Sequence, residues 1–514
     1  MISDFETPNI FKYVSEGCAY ETFRHYLFES ARNNLGKPAI EWLDTESNKL
    51  QSVTYTELCE NVICLGTELF KRGYKGKTVA LLESRSYEWV LLAVTAMCSD
   101  MRVVPIDCNE NEEVLKKKLD FCDADLCFNE EHSALVNVEN AKFDVVDASN
   151  VQDMLRKGRE AFHQGDDFWV KDYLSCRAPN VMIFTSGTGG KLKLAVLTQG
   201  SFNLEKLVRE GLGMDKSKNK CLITLPFFHI AGLIDLRGCL MLGLTAQIGQ
   251  GLKYLLQEYA LAKPEIVFVV PAQATFLYGV LMEKDKETGR ELLGGNLKAI
   301  RTSGAPLPQN IRDAFKHLDV EVTSDYGMTE TSGPVSVSLL KEDKIFTKPG
   351  SVGHILDCLK VYAENPDENG CGEIVIEGYC LFDGYYKDEE ETRKVLKDEK
   401  LYTGDVGYVD EDNFLFLVGR KKNIIILSNG ENIIPEELEK MVYQIPEIKE
   451  CLVFAEGDKL AIKVYAEGLD EEETLKEKIF ELNKDQPNHK MIRNVYVSST
   501  ALPKTKTGKI LRKA

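Results

Sequence analysis

The sequence predicts an α/β chain, with a large N-terminal body and a small α+β domain at about residues 421–514. Three observations carry this. Short apolar runs alternate with helix-length segments through the first ~400 residues. A strand–helix–strand unit stands near the N-terminus. After about Gly419 the texture changes to a hairpin flanked by amphipathic helices.

In chain order, Val79-Ala-Leu-Leu reads as a buried strand, Tyr87–Met97 as an apolar helix and Val103-Val-Pro-Ile as a second strand. That order requires a parallel, right-handed crossover. Val181–Phe184 and Leu194–Leu197 read as strands on either side of a Gly-rich loop. Ile266-Val-Phe-Val-Val is a buried strand stopped by Pro271, and a helical stretch runs on to Met282. Further on, Asn423–Leu427 is strand-like, and Pro435–Gln444 reads as a helix whose Pro-Glu-Glu opening suits a helix N-terminus. Cys451–Ala455 and Leu460–Glu467 pair around Glu456-Gly-Asp458 as a hairpin, and Asp470–Lys484 is a solvated helix.

At 514 residues the chain is too long for one ordinary core. With 44% hydrophobic and 28% charged residues, it is globular and neither fibrous nor disordered. Lys and Arg number 63 against 81 Asp and Glu, a net charge of −18. Such a surface repels nucleic acid and anionic membrane surfaces, and solubility alone accounts for it. Fourteen scattered Cys with no CxxC pair argue against zinc and for reduced, buried thiols. The N-terminus lacks the basic and apolar runs of a signal peptide, so a cytoplasmic location is expected. Of the two most apolar stretches, Trp89–Met101 is too short to span a bilayer, and Ile266–Met282 is interrupted by Pro271 and Gln273. From Asp485 onward the sign reverses, with seven Lys/Arg against one acid, as in a segment that approaches an anion.

The strongest local signal is Thr185-Ser-Gly-Thr-Gly-Gly-Lys-Leu-Lys193, directly after an apolar strand. Glycines let the backbone turn and aim N–H groups at phosphate oxygens, hydroxyls add donors, and lysines add charge. The spacing is not that of a Walker A loop, nor of a dinucleotide fingerprint. Further motifs follow in order: Pro226-Phe-Phe-His-Ile-Ala-Gly-Leu233, Ser303-Gly-Ala-Pro-Leu307, Tyr326-Gly-Met-Thr-Glu330, Gly384-Tyr-Tyr, Tyr402-Thr-Gly-Asp405, Gly419-Arg420-Lys-Lys422, Gly430-Glu-Asn-Ile and Pro503-Lys-Thr-Lys-Thr-Gly-Lys509. Alone, Glu330 reads as a helix-start acid, Asp405 as a turn residue, His229 as a core histidine and Lys509 as a tail lysine. Together, and in this order, the motifs resemble those of the adenylate-forming superfamily, in particular its acyl- and aryl-CoA synthetases.

That resemblance implies the fold, the reaction and the site. The fold would be an N-terminal adenylation core of mixed sheets flanked by helices over 1–420. A mobile C-terminal lid over 421–514 would swing about a hinge at Lys422. ATP with Mg²⁺ would convert a fatty or aromatic carboxylic acid to an acyl-adenylate, and coenzyme A would take the acyl group. Thr185, Ser186, Gly187, Thr188, Gly189, Gly190, Lys191 and Lys193 would hold the β- and γ-phosphates. Gly304, Ala305, Pro306 and Tyr326, with Gly327 and Met328, would flank the adenine. Asp405 would accept the ribose hydroxyls, and Arg420 would reach the ribose or a phosphate. Thr329 would contact the α-phosphate, and Glu330 would hold Mg²⁺ with help from Thr188. Lys509 would bridge the attacking carboxylate and the α-phosphate.

His229 would border the acid pocket and the thiol tunnel. The acid wall would comprise Phe228, Ala231, Gly232, Thr302, Ser303 and Thr331, and Ser428, Gly430, Glu431 and Asn432 would line the tunnel. Gly189, Leu192, Leu194 and Gln199 depart from the usual pattern, and the hydroxyl missing at Gly189 removes one phosphate donor. The alternatives are an enzyme that loads a carrier protein's phosphopantetheine and, more remotely, a non-catalytic nucleotide-binding protein.

Overall fold

A computed structural model describes residues 22–130, 142–185, 191–203, 220–302, 307, 309–341, 344–346, 348–428, 431–466, 472–504 and 510–512. The predicted crossover is present. Strand Thr78–Leu82 leads through helix Tyr87–Met97 to strand Arg102–Ile106, and the two strands pair in parallel. Ser86 starts that helix by accepting from Trp89 N–H, which removes one orphan donor of the first turn. The helix is buried all round, with Trp89 stacked on Phe227 at 4.8 Å.

Seven strands form the central sheet, in the order Gly384–Tyr385, Lys193–Thr198, Pro179–Thr185, Arg102–Ile106, Thr78–Leu82, Leu126–Phe128, Asp144–Val146. The last five run parallel, and the first two pair antiparallel. A second sheet orders Lys49–Thr54, Pro38–Asp44, Thr245–Ile248 and Lys220–Ile223, while Ile266–Val269, Ala299–Thr302 and Glu321–Ser324 form a parallel trio. The described residues thus form mixed sheets with helices against them, as expected.

The alternation of strand and helix fails over 321–420. Among the described residues that stretch is mostly antiparallel, with one α-helix, Glu389–Val395, and a 3-10 turn at Thr329–Thr331. Its main sheet pairs Lys360–Glu364, Gly372–Glu377, Lys400–Val409 and Leu415–Arg420. Antiparallel neighbours need only short turns, so no crossover helix separates them.

Residues from Leu427 to Ile492 gather a hydrophobic core of their own. Strands Ile448–Glu456 and Lys459–Ala466 form the expected hairpin, and Ile492–Ser498 joins in parallel. Helices Pro435–Val442 and Glu472–Asn483 accompany it. The strand expected at 423–427 is shorter, because Lys421–Asn423 is a 3-10 turn and only Ile425–Ile426 pairs, with Asn432–Ile433.

Twelve described cysteines are free and most of these are buried. No helix among the described residues is long and apolar enough to cross a membrane.

Candidate functional site

The ends of the Gly-rich loop are fixed by a hairpin. Thr185 and Lys193 are paired positions of strands Pro179–Thr185 and Lys193–Thr198. Ser186, Gly187, Thr188, Gly189 and Gly190 lie outside the described residues. Lys191 makes a 2.6 Å ion pair with Asp388, and Lys193 a 2.5 Å pair with Glu391. Both carboxylates come from the start of helix Glu389–Val395, where Asp388 is the N-cap. The Lys193 ammonium also lies 5.1 Å from the Tyr385 ring centroid.

A second group joins three expected nucleotide residues. Asp405 and Arg420 are register partners on adjacent antiparallel strands, so their side chains share a face. Arg420 Nε stands 2.6 Å from Asp405 Oδ1, and the Tyr326 hydroxyl donates to Asp405 Oδ2 at 2.7 Å. Asp405 is 4% exposed. Burial, then the neighbouring Asp405 charge, pushes the Tyr326 phenol well up, so it stays a donor.

Tyr326 is anchored from beneath. Asp325 accepts from Arg301 Nε at 2.6 Å and from Ser338 N–H at 3.2 Å. Gly327 is required where it stands, because a Cβ there would sit 2.3 Å from the Gly333 carbonyl oxygen. Met328 opens the 3-10 turn Thr329–Thr331 that follows.

Glu330 is buried in that turn, and Thr329 is half-buried. The Tyr385 hydroxyl donates to Glu330 Oε1 at 2.6 Å, and Phe382 N–H donates to the Glu330 carbonyl at 2.9 Å. A carboxylate oxygen is the hard donor Mg²⁺ prefers. Among the described residues no cluster of three or more His, Cys, Asp or Glu side chains forms. A single protein carboxylate fits an ion that arrives on nucleotide phosphates.

The expected acid wall divides. His229 is exposed and caps helix Ile230–Leu242, its Nδ1 accepting from Ala231 N–H at 3.3 Å. Phe228 and Ala231 are half-buried beside it. Gly232 is a packing glycine, since a Cβ would meet the Pro226 carbonyl oxygen at 2.4 Å. Thr331 is fully enclosed, with its hydroxyl bonded to the backbone of Met328 and Gly333, so it serves the turn and forms no wall. Thr302 ends its strand buried, with no partner for its hydroxyl. Ser303, Gly304, Ala305 and Pro306 lie outside the described residues.

Lys422 is exposed in the 3-10 turn between the main body and the C-terminal core. Ser428, Glu431 and Asn432 share one short hairpin and are all exposed. Gly430 and Lys509 lie outside the described residues.

Sequence reasoning missed Tyr385, Asp388 and Glu391, which connect Glu330 to the loop lysines. It also missed Asp325 and Arg301. The Gly384-Tyr-Tyr motif marked the place without giving a role, and the acidic run at 388–391 reads by itself as a solvated helix start.

The family described as AMP-binding enzyme matches residues 27–386, and the AMP-binding enzyme C-terminal domain matches 422–514. The 2-succinylbenzoate–CoA ligase of Oceanobacillus iheyensis is 28% identical over 440 residues, covering 84% of this chain and 86% of that protein. The o-succinylbenzoate CoA synthetase of Bacillus subtilis, solved with its acyl-adenylate intermediate, superposes with a TM-score of 0.77 at 22% identity, over 95% of this chain and 96% of that one. The same synthetase solved with ATP and magnesium ion gives 0.77 at 22% identity, over 95% and 98%. With both of its parts matched and the motif residues gathered as described, the chain belongs to the AMP-binding enzyme family, the adenylate-forming superfamily its motifs resemble.

Proposed function

We propose that the protein is an AMP-forming carboxylic acid–CoA ligase acting in the cytoplasm on an aromatic or fatty acid. The observation that carries this is a pair of motif-built groups, Tyr326 and Arg420 on the Asp405 carboxylate, and Tyr385 holding Glu330 with its ring against Lys193. The CoA ligase relative, matched over most of both chains, supports the acceptor.

In this reading Mg²⁺-ATP is a substrate. Asp405 accepts both ribose hydroxyls, since two carboxylate oxygens can do so at once. Tyr326 lies against the adenine, and Arg420 turns toward the ribose or a phosphate. Lys191 and Lys193 neutralise the β- and γ-phosphates, and Thr329 donates to the α-phosphate. Mg²⁺ supplies charge neutralisation on the phosphates, with Glu330 as its protein ligand. The acid's oxygen attacks the α-phosphorus, pyrophosphate leaves, and the acyl-adenylate forms. Lys509 stabilises the charge that develops in that step. The 421–514 lid then turns about Lys422, and the hairpin bearing Ser428, Glu431 and Asn432 borders the incoming pantetheine thiol. The thiol displaces AMP to give acyl-CoA.

The test is acid-dependent pyrophosphate release from Mg²⁺-ATP over aryl, fatty and amino acids, with and without CoA. Release accelerated by CoA, with an acyl-CoA product, is expected. Pyrophosphate exchange without a CoA product would point to a carrier-protein acceptor. ATP binding with no exchange for any acid would sink the ligase reading.

A further inference from the structure

We infer that Tyr385 is a positioning residue for the nucleotide half of the site, holding the Glu330 carboxylate with its hydroxyl and keeping Lys193 away from it with its ring. The inference rests on the ligase reading for the role of Glu330.

The side chain stands between two opposite charges. Its hydroxyl donates to Glu330 Oε1 at 2.6 Å, and its ring centroid lies 5.1 Å from Lys193 Nζ. Lys193 makes its ion pair with Glu391. Direct collapse of Lys193 onto Glu330 would consume both charges before a nucleotide arrived. The aromatic ring prevents this while offering the ammonium a favourable face.

The donor's chemistry fits the task. A neutral phenol orients a carboxylate without cancelling its charge, which a Lys or Arg in the same place would do.

The position itself is fixed on four sides. Tyr385 pairs with Ala195 on the strand that carries Lys193. Its N–H donates to the Thr392 hydroxyl at 2.8 Å. Phe382 packs edge-on against its ring at 5.0 Å and also donates its N–H to the Glu330 carbonyl. Gly384, at φ +122°, admits the close approach of the Thr392 methyl.

The experiment uses the full chain, with ATP binding measured by calorimetry across a Mg²⁺ series, in the absence of acid and CoA. Y385F keeps the ring and loses the hydroxyl. It should raise the Mg²⁺ concentration for half-maximal ATP binding about tenfold, with metal-free ATP binding unchanged. Y385L removes the ring as well and should weaken metal-free ATP binding too, as Lys193 falls onto Glu330. F382L loosens the tyrosine while keeping its hydroxyl, and should shift the Mg²⁺ dependence in the same direction by less. It also serves if Y385F does not fold. In an E330Q background, Y385F should have no further effect on the Mg²⁺ dependence.

A wild-type Mg²⁺ dependence in Y385F, or a uniform loss of ATP binding with a lowered melting temperature and no Mg²⁺ shift, would overturn the inference and leave a merely structural tyrosine. Because this readout needs no acid, a silent acid panel with an intact Mg²⁺ shift would count against the ligase reading alone.

Discussion

Tyr326 donates its hydroxyl to Asp405 at 2.7 Å, across 79 positions of sequence. Arg420 reaches the other oxygen of the same carboxylate at 2.6 Å. The two partners orient the carboxylate, which in the proposed reading lowers the ordering cost of accepting the ribose. D405N retains the shape and loses the charge. Hydrogen bonds to charged groups contribute about 1.5–3 kcal/mol, so the KM for ATP should rise roughly 10- to 100-fold with the KM for the acid unchanged. Steady-state kinetics with each substrate varied in turn checks this, and an unchanged ATP KM would remove Asp405 from the nucleotide site.

G327A tests the turn that presents Thr329 and Glu330. A methyl group at that position would lie 2.3 Å from the Gly333 oxygen and 2.6 Å from Pro334 Cα. Both are backbone atoms, so relief requires the strand pair to part. The expected cost is about 1–3 kcal/mol. Thermal unfolding of the variant should come several degrees lower, with adenylation reduced more than in proportion.

Glu258 sets a pH dependence of stability. It is 1% exposed, and burial raises its carboxyl to about 7, against the opposing pull of Gln250 N–H and Arg85. In the unfolded chain the same group titrates near 4.5. Between those values the unfolded state has lost the proton and the folded state keeps it, so stability falls as pH rises from about 4.5 to 7. The loss is on the order of 3 kcal/mol. E258Q removes the titration. Its melting temperature should match wild type near pH 4.5 and exceed it at pH 8. A gap that stays constant with pH would contradict this.

Lys509 is assigned by motif and tested by separating the half-reactions. K509A should slow adenylation by ~10²-fold or more, the scale of losing one stabiliser of developing charge. Thiol transfer from supplied acyl-adenylate should survive. Equal loss in both steps would refute the two-pose assignment of the 421–514 lid.

Local signals made much of the fold legible. Helix Tyr87–Met97 could be bounded to the residue from its largely apolar run, and Ser86 caps it. The hairpin around the Gly-rich loop followed from two β-rich runs either side of it. Tyr326, Asp405 and Arg420 could be named from motifs, and the register of Asp405 with Arg420 brings them together. What stayed hidden depends on distant partners. Asp388 and Glu391 look solvated until strand Gly384–Tyr385 docks beside Lys193–Thr198. Thr331 looked like a pocket residue and is consumed by its own turn. Gln199 was one of the departures from the usual pattern. Its amide in fact accepts from Phe23 N–H and donates to the Met97 carbonyl, a structural duty.

The pairing of Lys193 with Glu391 joins positions 198 residues apart. A ribosome adding about 5–20 residues per second needs roughly 10–40 s to cover that interval. Throughout it, the emerging chain carries a basic loop whose acidic cover has not yet been synthesised. Asp405 and Arg420 follow later still. In the proposed reading, stabilisation by bound nucleotide begins only when translation has passed Arg420.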